Sequence, residues 1–147
     1  MAAYLLVAHQ TALSDELLSA TEELASGDRD AEFVVLVPAT PVSHMVVWEE
    51  GETLDLARKR AADAQARLEE RGLRVAEART GDADPVAAID DLLREGRRAY
   101  SAIVLSTLPP GVSRWLKLDV VSRVRRHYPT TKVVHVVGEA QERAKAA

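Results

Sequence analysis

Five short apolar runs, each separated from the next by a segment of helical periodicity, are what most limits the folds open to this chain. The runs are Tyr4–His9, Glu32–Pro38, Arg74–Thr80, Ala102–Thr107 and Lys132–Val137. All but the third are rich in Val, Leu or Ile and nearly continuous, as strands covered on both faces of a parallel sheet are. The third alternates through Val75, Ala76, Glu77 and Ala78, as an edge strand does. A strand–helix alternation with right-handed crossovers implies an α/β, doubly wound parallel sheet.

The intervening segments carry helix punctuation. Ser14 is placed to cap a first helix with the apolar stripe Leu17, Leu18 and Leu24. A second, from about Thr53 to Arg71, repeats Leu54, Ala57, Ala61, Ala64 and Leu68 at three-to-four spacing. Asp55/Lys59 and Asp63/Arg67 are expected to pair on its outer face, and Gly72 stands where a terminating glycine belongs. The third starts with Asp84 as cap and Pro85 in the first turn, is expected to bury Val86, Ile89 and Leu93, and ends near Gly96. A fourth helical stretch is expected from Ser113 to Tyr128, with Pro129 forbidding its continuation and Asp119 placed to cap the part from Val120 to His127. The pattern fits one domain over residues 1–138, followed by a polar tail, 139–147.

Composition removes several function classes. The chain has 147 residues and no cysteine, which excludes disulfides, thiolate metal sites and a thiol nucleophile. Its longest apolar stretch, Ala2–Ala8, is far short of the roughly 20 residues of a membrane helix. No basic segment precedes it, so a soluble cytoplasmic protein is expected. The net charge of −4 hides an asymmetry: residues 1–99 sum to −9 and residues 100–147 to +5. That split suits either solvated helix faces of opposite sign or an anionic ligand at the basic end. With six aromatics, an acidic total and no groove-reading motif, the basic stretch Arg114, Lys117, Arg123, Arg125 and Arg126 is not read as a nucleic-acid surface.

In a doubly wound sheet ligands sit beyond the carboxyl ends of the strands, at the topological switch point. The residues just after strands one, two and four are therefore the ones to read. His9, Gln10, Thr11, Thr40, Ser106, Thr107, Ser113, Arg114 and Lys117 form the candidate ligand site, with hydroxyls and positive charge at the start of the last helical stretch, a seat for a small anion. A metal between His9 and His44 lacks a third ligand, and none is expected. Glu22–Glu23, Glu49–Glu50, Glu69–Glu70 and Asp90–Asp91 are adjacent residues that do not share a helix face, so they make poor acid/base couples. No nucleophile elbow, Walker lysine or dinucleotide fingerprint is present, and no catalytic group is assigned. The apolar connection Ser43–Trp48 reads as a packing segment or as a lid.

Gly81-Asp82-Ala83-Asp84-Pro85, the helix Val86 to Gly96 and the strand Ala102-Ile103-Val104-Leu105-Ser106 together resemble the second half of a universal stress protein. Val121 to His127 followed by Val133 to Val137 resembles that family's final helix and closing strand, while Leu5-Leu6-Val7-Ala8 matches its first strand in outline. The resemblance implies the strand order 3-2-1-4-5 and a homodimer formed through the last strand, Val133, Val134, His135, Val136 and Val137. It also implies a place for ATP or AMP, which the residues oppose. Members that bind ATP carry G-x-x-G, nine residues, then G-[ST]. Here those positions hold Ser106, Pro109, Asp119 and Val120, and the adenine-side aspartate falls on Gln10. Pro109 and Pro110 offer no N–H to a phosphate, and Asp119 adds a repelling charge. The expectation is a stress-response regulatory or ligand-binding module without catalysis, its ATP site degenerate and its cofactor none. The alternatives are a nucleotide-hydrolysing member with an altered loop and a protein-interaction scaffold.

Overall fold

The computed structural model describes residues 2–41 and 50–139, apart from the side chains of residues 50–52. The expected segment 43–48, His44, Glu49 and nearly all of the 139–147 tail lie outside the described residues. The elements run β1 (Ala3–Val7), α1 (Asp15–Ser26), β2 (Glu32–Pro38), α2 (Glu50–Glu70), β3 (Arg74–Gly81), α3 (Pro85–Arg94), β4 (Ala102–Thr107), α4 (Arg114–Lys117), α5 (Val120–His127) and β5 (Lys132–Val137). The five strands are all parallel in the order β3-β2-β1-β4-β5.

Alternation of side chains along each strand divides the interior into two layers. Leu6, Phe33, Val35, Val37 and Val104 face α1 and α2, where Leu17, Leu18, Ala57, Ala61, Ala64 and Leu68 meet them. Leu5, Val7, Val34, Leu36, Ile103 and Leu105 face α3, α4 and α5, against Ala88, Ile89, Leu92, Trp115, Val120 and Val124. The near-continuous apolar runs follow from this: a strand with helices on both sides has no polar face to show.

Local chemistry sets the helix ends. The Ser14 hydroxyl accepts from the Leu17 N–H at 3.1 Å, and an Asp84 carboxylate oxygen accepts from the Val86 N–H at 3.2 Å. Gly72, at φ +80°, turns the chain out of α2 in a conformation that side chains resist. Gly81 closes β3 where a Cβ would stand 2.8 Å from that of Ala88, so the missing side chain lets α3 lie on the sheet.

Several expectations need correction. β1 stops at Val7, so His9 lies beyond the sheet. The stretch Ser113–Tyr128 is two helices, because Asp119 adopts the left-handed conformation (φ 57°) and breaks the ladder between them. Aspartate is among the few residues that tolerate this geometry. Asp119 therefore makes no side-chain cap to α5; its carboxylate lies 3.9 Å from Arg126. On α2, Lys59 pairs with Asp63 and Arg58 with Asp55, while Arg67 reaches across to Asp15 of α1. On α3 the buried residues are Pro85, Ala88, Ile89 and Leu92, with Val86 and Leu93 half-buried.

Candidate functional site

The strand order changes direction between β1 and β4, and the segments leaving these two strands diverge there. β1 continues into His9-Gln10-Thr11, and β4 ends in Ser106-Thr107 before the turn that leads to α4. Together with Thr40 and Pro41 beyond β2, they enclose a half-open pocket of about 30 Å³ lined also by Leu108, Ser113, Arg114 and Trp115. By this measure a single water needs roughly 10–15 Å³, so the space suits two waters or a small oxoanion. Eight of the nine residues expected at the site line it. The ninth, Lys117, is exposed on α4 and does not line the pocket.

Hydrogen bonds within the lining determine which groups remain for a ligand. Thr11 and Ser106, both buried, share a bond of 2.6 Å, which uses one of their two hydroxyl protons. Thr40 donates to the Ala83 carbonyl at 2.7 Å and accepts from Trp115 Nε1 at 3.3 Å, so it serves as a strut. The Thr107 hydroxyl lies 2.8 Å from His135 Nε2 and donates to its neighbour's carbonyl at Leu108. The Ser113 hydroxyl accepts from the Leu116 N–H and keeps its own proton. Gln10 at the wall and exposed Arg114 at the mouth complete the donors.

His9 differs from the other groups. It is 4% exposed, and neither ring nitrogen has a hydrogen-bond partner. Burial, and then the Arg60 guanidinium, push its pKa down to about 4, so the imidazole is neutral at neutral pH. Arg60 reaches the same residue's backbone, donating from Nη1 to the His9 carbonyl at 3.2 Å. On β5, His135 is also held below its usual value, by burial and then by Arg125.

The expected anion seat at the start of a long helix is corrected: α4 is a single turn of four residues. Its preceding loop is turned in on itself, since the Val112 and Ser113 N–H groups both donate to the Pro109 carbonyl at 3.2 and 3.1 Å. Three of the five residues of the basic stretch are also engaged. Arg123 bonds to Asp84, Arg126 lies near Asp119, and Arg125 donates to the Val133 carbonyl. Among the described residues no group of three or more His, Asp or Glu is placed to hold a metal. No described helix is long and apolar enough to cross a membrane.

The sequence-based set missed Trp115 and Arg60. Arg60 stands three residues after Ala57 and four before Ala64, on the stripe that faces the sheet; a charge in that stripe is the signal that could have marked it. The last-strand residues lie as expected at one edge of the sheet. Val134 and Val136 pack on the α1/α2 layer, Val133 packs on the other layer, and Val137 is 41% exposed.

No protein-family sequence model and no curated protein matches the chain. Solved structures do. A protein from the universal stress protein family of Burkholderia pseudomallei aligns at 22% identity over 91% of this chain and 94% of its own, with a TM-score of 0.58. A universal stress protein from Archaeoglobus fulgidus aligns at 14% identity over 92% and 93%, with a TM-score of 0.59. A universal stress protein solved in complex with cAMP aligns at 18% identity over 95% and 98%, with a TM-score of 0.52. With the observed strand order, these similarities identify the architecture: the chain has the universal stress protein fold.

Proposed function

We propose that this is a non-catalytic regulatory module that binds a small anion in the pocket between β1 and β4; one protein of the same fold has been solved in complex with cAMP. The observation that carries the proposal is the pocket itself. It is rich in donors, has no carboxylate lining among the described residues, and at about 30 Å³ is far smaller than the roughly 300–1,000 Å³ of drug-sized ligand sites. The loop that would cradle a polyphosphate has two prolines without N–H groups and spends the Val112 and Ser113 N–H groups on the Pro109 carbonyl. ATP and AMP are therefore not the ligands of this reading. His9, Gln10, Thr11, Ser106, Ser113 and Arg114 are the contacting residues. Thr40 and Thr107 support them, and Lys117 contributes charge from outside.

Inorganic phosphate or sulfate at ten times its Kd is expected to stabilise the protein by about 1.4 kcal/mol, raising Tm by about 3–6 °C. Arg114→Ala should lose most of that shift and Lys117→Ala little of it. A shift with neither anion in the wild-type protein would refute the reading.

The second part of the proposal is a homodimer through β5. No strand covers its outer edge among the described residues, and Val137 at its end is exposed. An uncovered apolar edge is a pairing surface, and twofold pairing closes it. Sedimentation equilibrium is expected to give twice the 16.0 kDa chain mass. A monomer at high concentration would contradict the pairing.

A further inference from the structure

The fold leaves His9 unexplained. A neutral imidazole has one N–H and one lone pair to match, and buried polar atoms in folded proteins are almost always matched. Here neither nitrogen is, although the residue is 4% exposed and lines the pocket. Among the described residues, the charged groups nearest it are cations. Arg60 approaches from α2 and bonds to its carbonyl, and Arg114 from α4 lines the same pocket. The acids at the start of α1 are directed elsewhere, Asp15 to Arg67 and Glu16 to the Glu139 N–H. Among the described residues, the segments leaving β2 and β4 bring Thr40, Pro41, Ser106, Thr107 and Leu108 to the lining, none of them charged. In the empty pocket burial, and then the Arg60 charge, oppose protonation of the ring. An anion in the pocket offsets that charge and accepts from whichever ring nitrogen faces it.

We propose that the pocket takes up its small anion together with one proton, held on His9, so that the proton offsets one negative charge of the ligand. This rests on the anion-binding reading above and adds to it a residue and a ligand class, the small oxoacids. The proton comes from solvent and binds a ring nitrogen; no other bond is made or broken. The empty-state value of about 4 sets the direction of the effect. An adjacent anion raises it, so binding gains a proton between the empty and occupied values. Affinity then increases as pH falls through that window, approaching tenfold per pH unit, and is flat above it.

Sulfate is the probe, because it carries no titrating proton of its own in this range and any uptake belongs to the protein. Calorimetric titration in buffers of different ionisation enthalpy, at about pH 5 and about pH 7.5, is expected to show proton uptake and at least about fivefold tighter binding at the lower pH. His9→Gln keeps hydrogen-bonding atoms but cannot titrate, and should bind sulfate without uptake. His135→Gln should keep the uptake, which separates the two histidines beside the site. The wild-type His9 ring signal, followed by NMR with and without sulfate, gives the same answer without a variant, as an upward shift of its titration. Sulfate binding of equal strength at both pH values, with no uptake, would overturn the proton linkage and leave the anion pocket standing. No binding of sulfate or phosphate at either pH would overturn both.

Discussion

Trp115→Ala is expected to destabilise the protein by about 3–5 kcal/mol, a large part of the stability of a chain this size, read as a lower urea midpoint by circular dichroism. Trp115 is 6% exposed, packs in the layer beneath α3 and α5, and forms one wall of the pocket. Alanine would leave a void where an indole filled the space between β4 and α4. It would also remove the Nε1 bond to Thr40. Thr40 still has the Ala83 carbonyl to donate to, so the polar loss is the minor part. Trp115→Phe separates the two: it keeps most of the apolar contact and should cost about 0.5–1.5 kcal/mol from the bond, plus a smaller packing term. If alanine and phenylalanine proved equally mild, Trp115 would not be the wedge that shapes the site.

Phe33→Ala should cost a similar amount, about 3–5 kcal/mol, for a different reason. Phe33 is the chain's single phenylalanine, fully buried on β2 and stacked on Tyr4 of β1 with ring centroids 5.6 Å apart and an interplanar angle of 23°. It sits opposite Tyr4 on one side and Val75 on the other, where the β2–β3 register shifts between Phe33 and Val34. The ring therefore fills the α1/α2 layer at an irregular point of the sheet, where smaller side chains would not close the gap. Phe33→Leu, which restores most of the volume, should recover more than half of the loss, measured in the same denaturation series. Unlike the Trp115 variants, it lies away from the pocket and should leave anion affinity unchanged.

The parts of the molecule that were legible in the sequence are those fixed by local patterning. Near-continuous Val, Leu and Ile place β1, β2 and β4 inside the sheet and the alternating Val75–Ala78 places β3 at one edge, while β5, equally apolar, stands at the other edge. The caps at Ser14 and Asp84 and the turn at Gly72 depend on neighbours within three residues. The switch-point principle then gives most of the pocket without a single distance. What escaped depends on tertiary contacts. The left-handed Asp119 splits a stretch whose spacing reads as one helix, and with that split the expected long-helix anion seat disappears. Arg114 and Lys117 look alike three residues apart, yet only the first lines the pocket. Arg60 reaches His9 across 51 positions of sequence, and the unmatched imidazole becomes visible only when its surroundings are known.

The charge asymmetry between the two parts of the chain also acquires a physical meaning. Arg123 and Arg126 have acid neighbours and Arg125 a carbonyl, so much of the positive excess is consumed by the structure rather than offered to a polyanion. Among the described residues, Arg114 is the cation that lines the pocket. On the proposed reading, one guanidinium beside hydroxyls and a histidine is a set of donors for a small, singly or doubly charged oxoanion rather than for a triphosphate.

Direct titration of the wild-type protein with Mg-ATP and with inorganic phosphate, side by side at the same ionic strength, is the most immediate test of a small-anion site on this fold. Saturable phosphate binding with no heat from Mg-ATP, together with a purified protein that shows no nucleotide absorbance at 260 nm, is the predicted result. Saturable Mg-ATP binding, with phosphate inert, would contradict it.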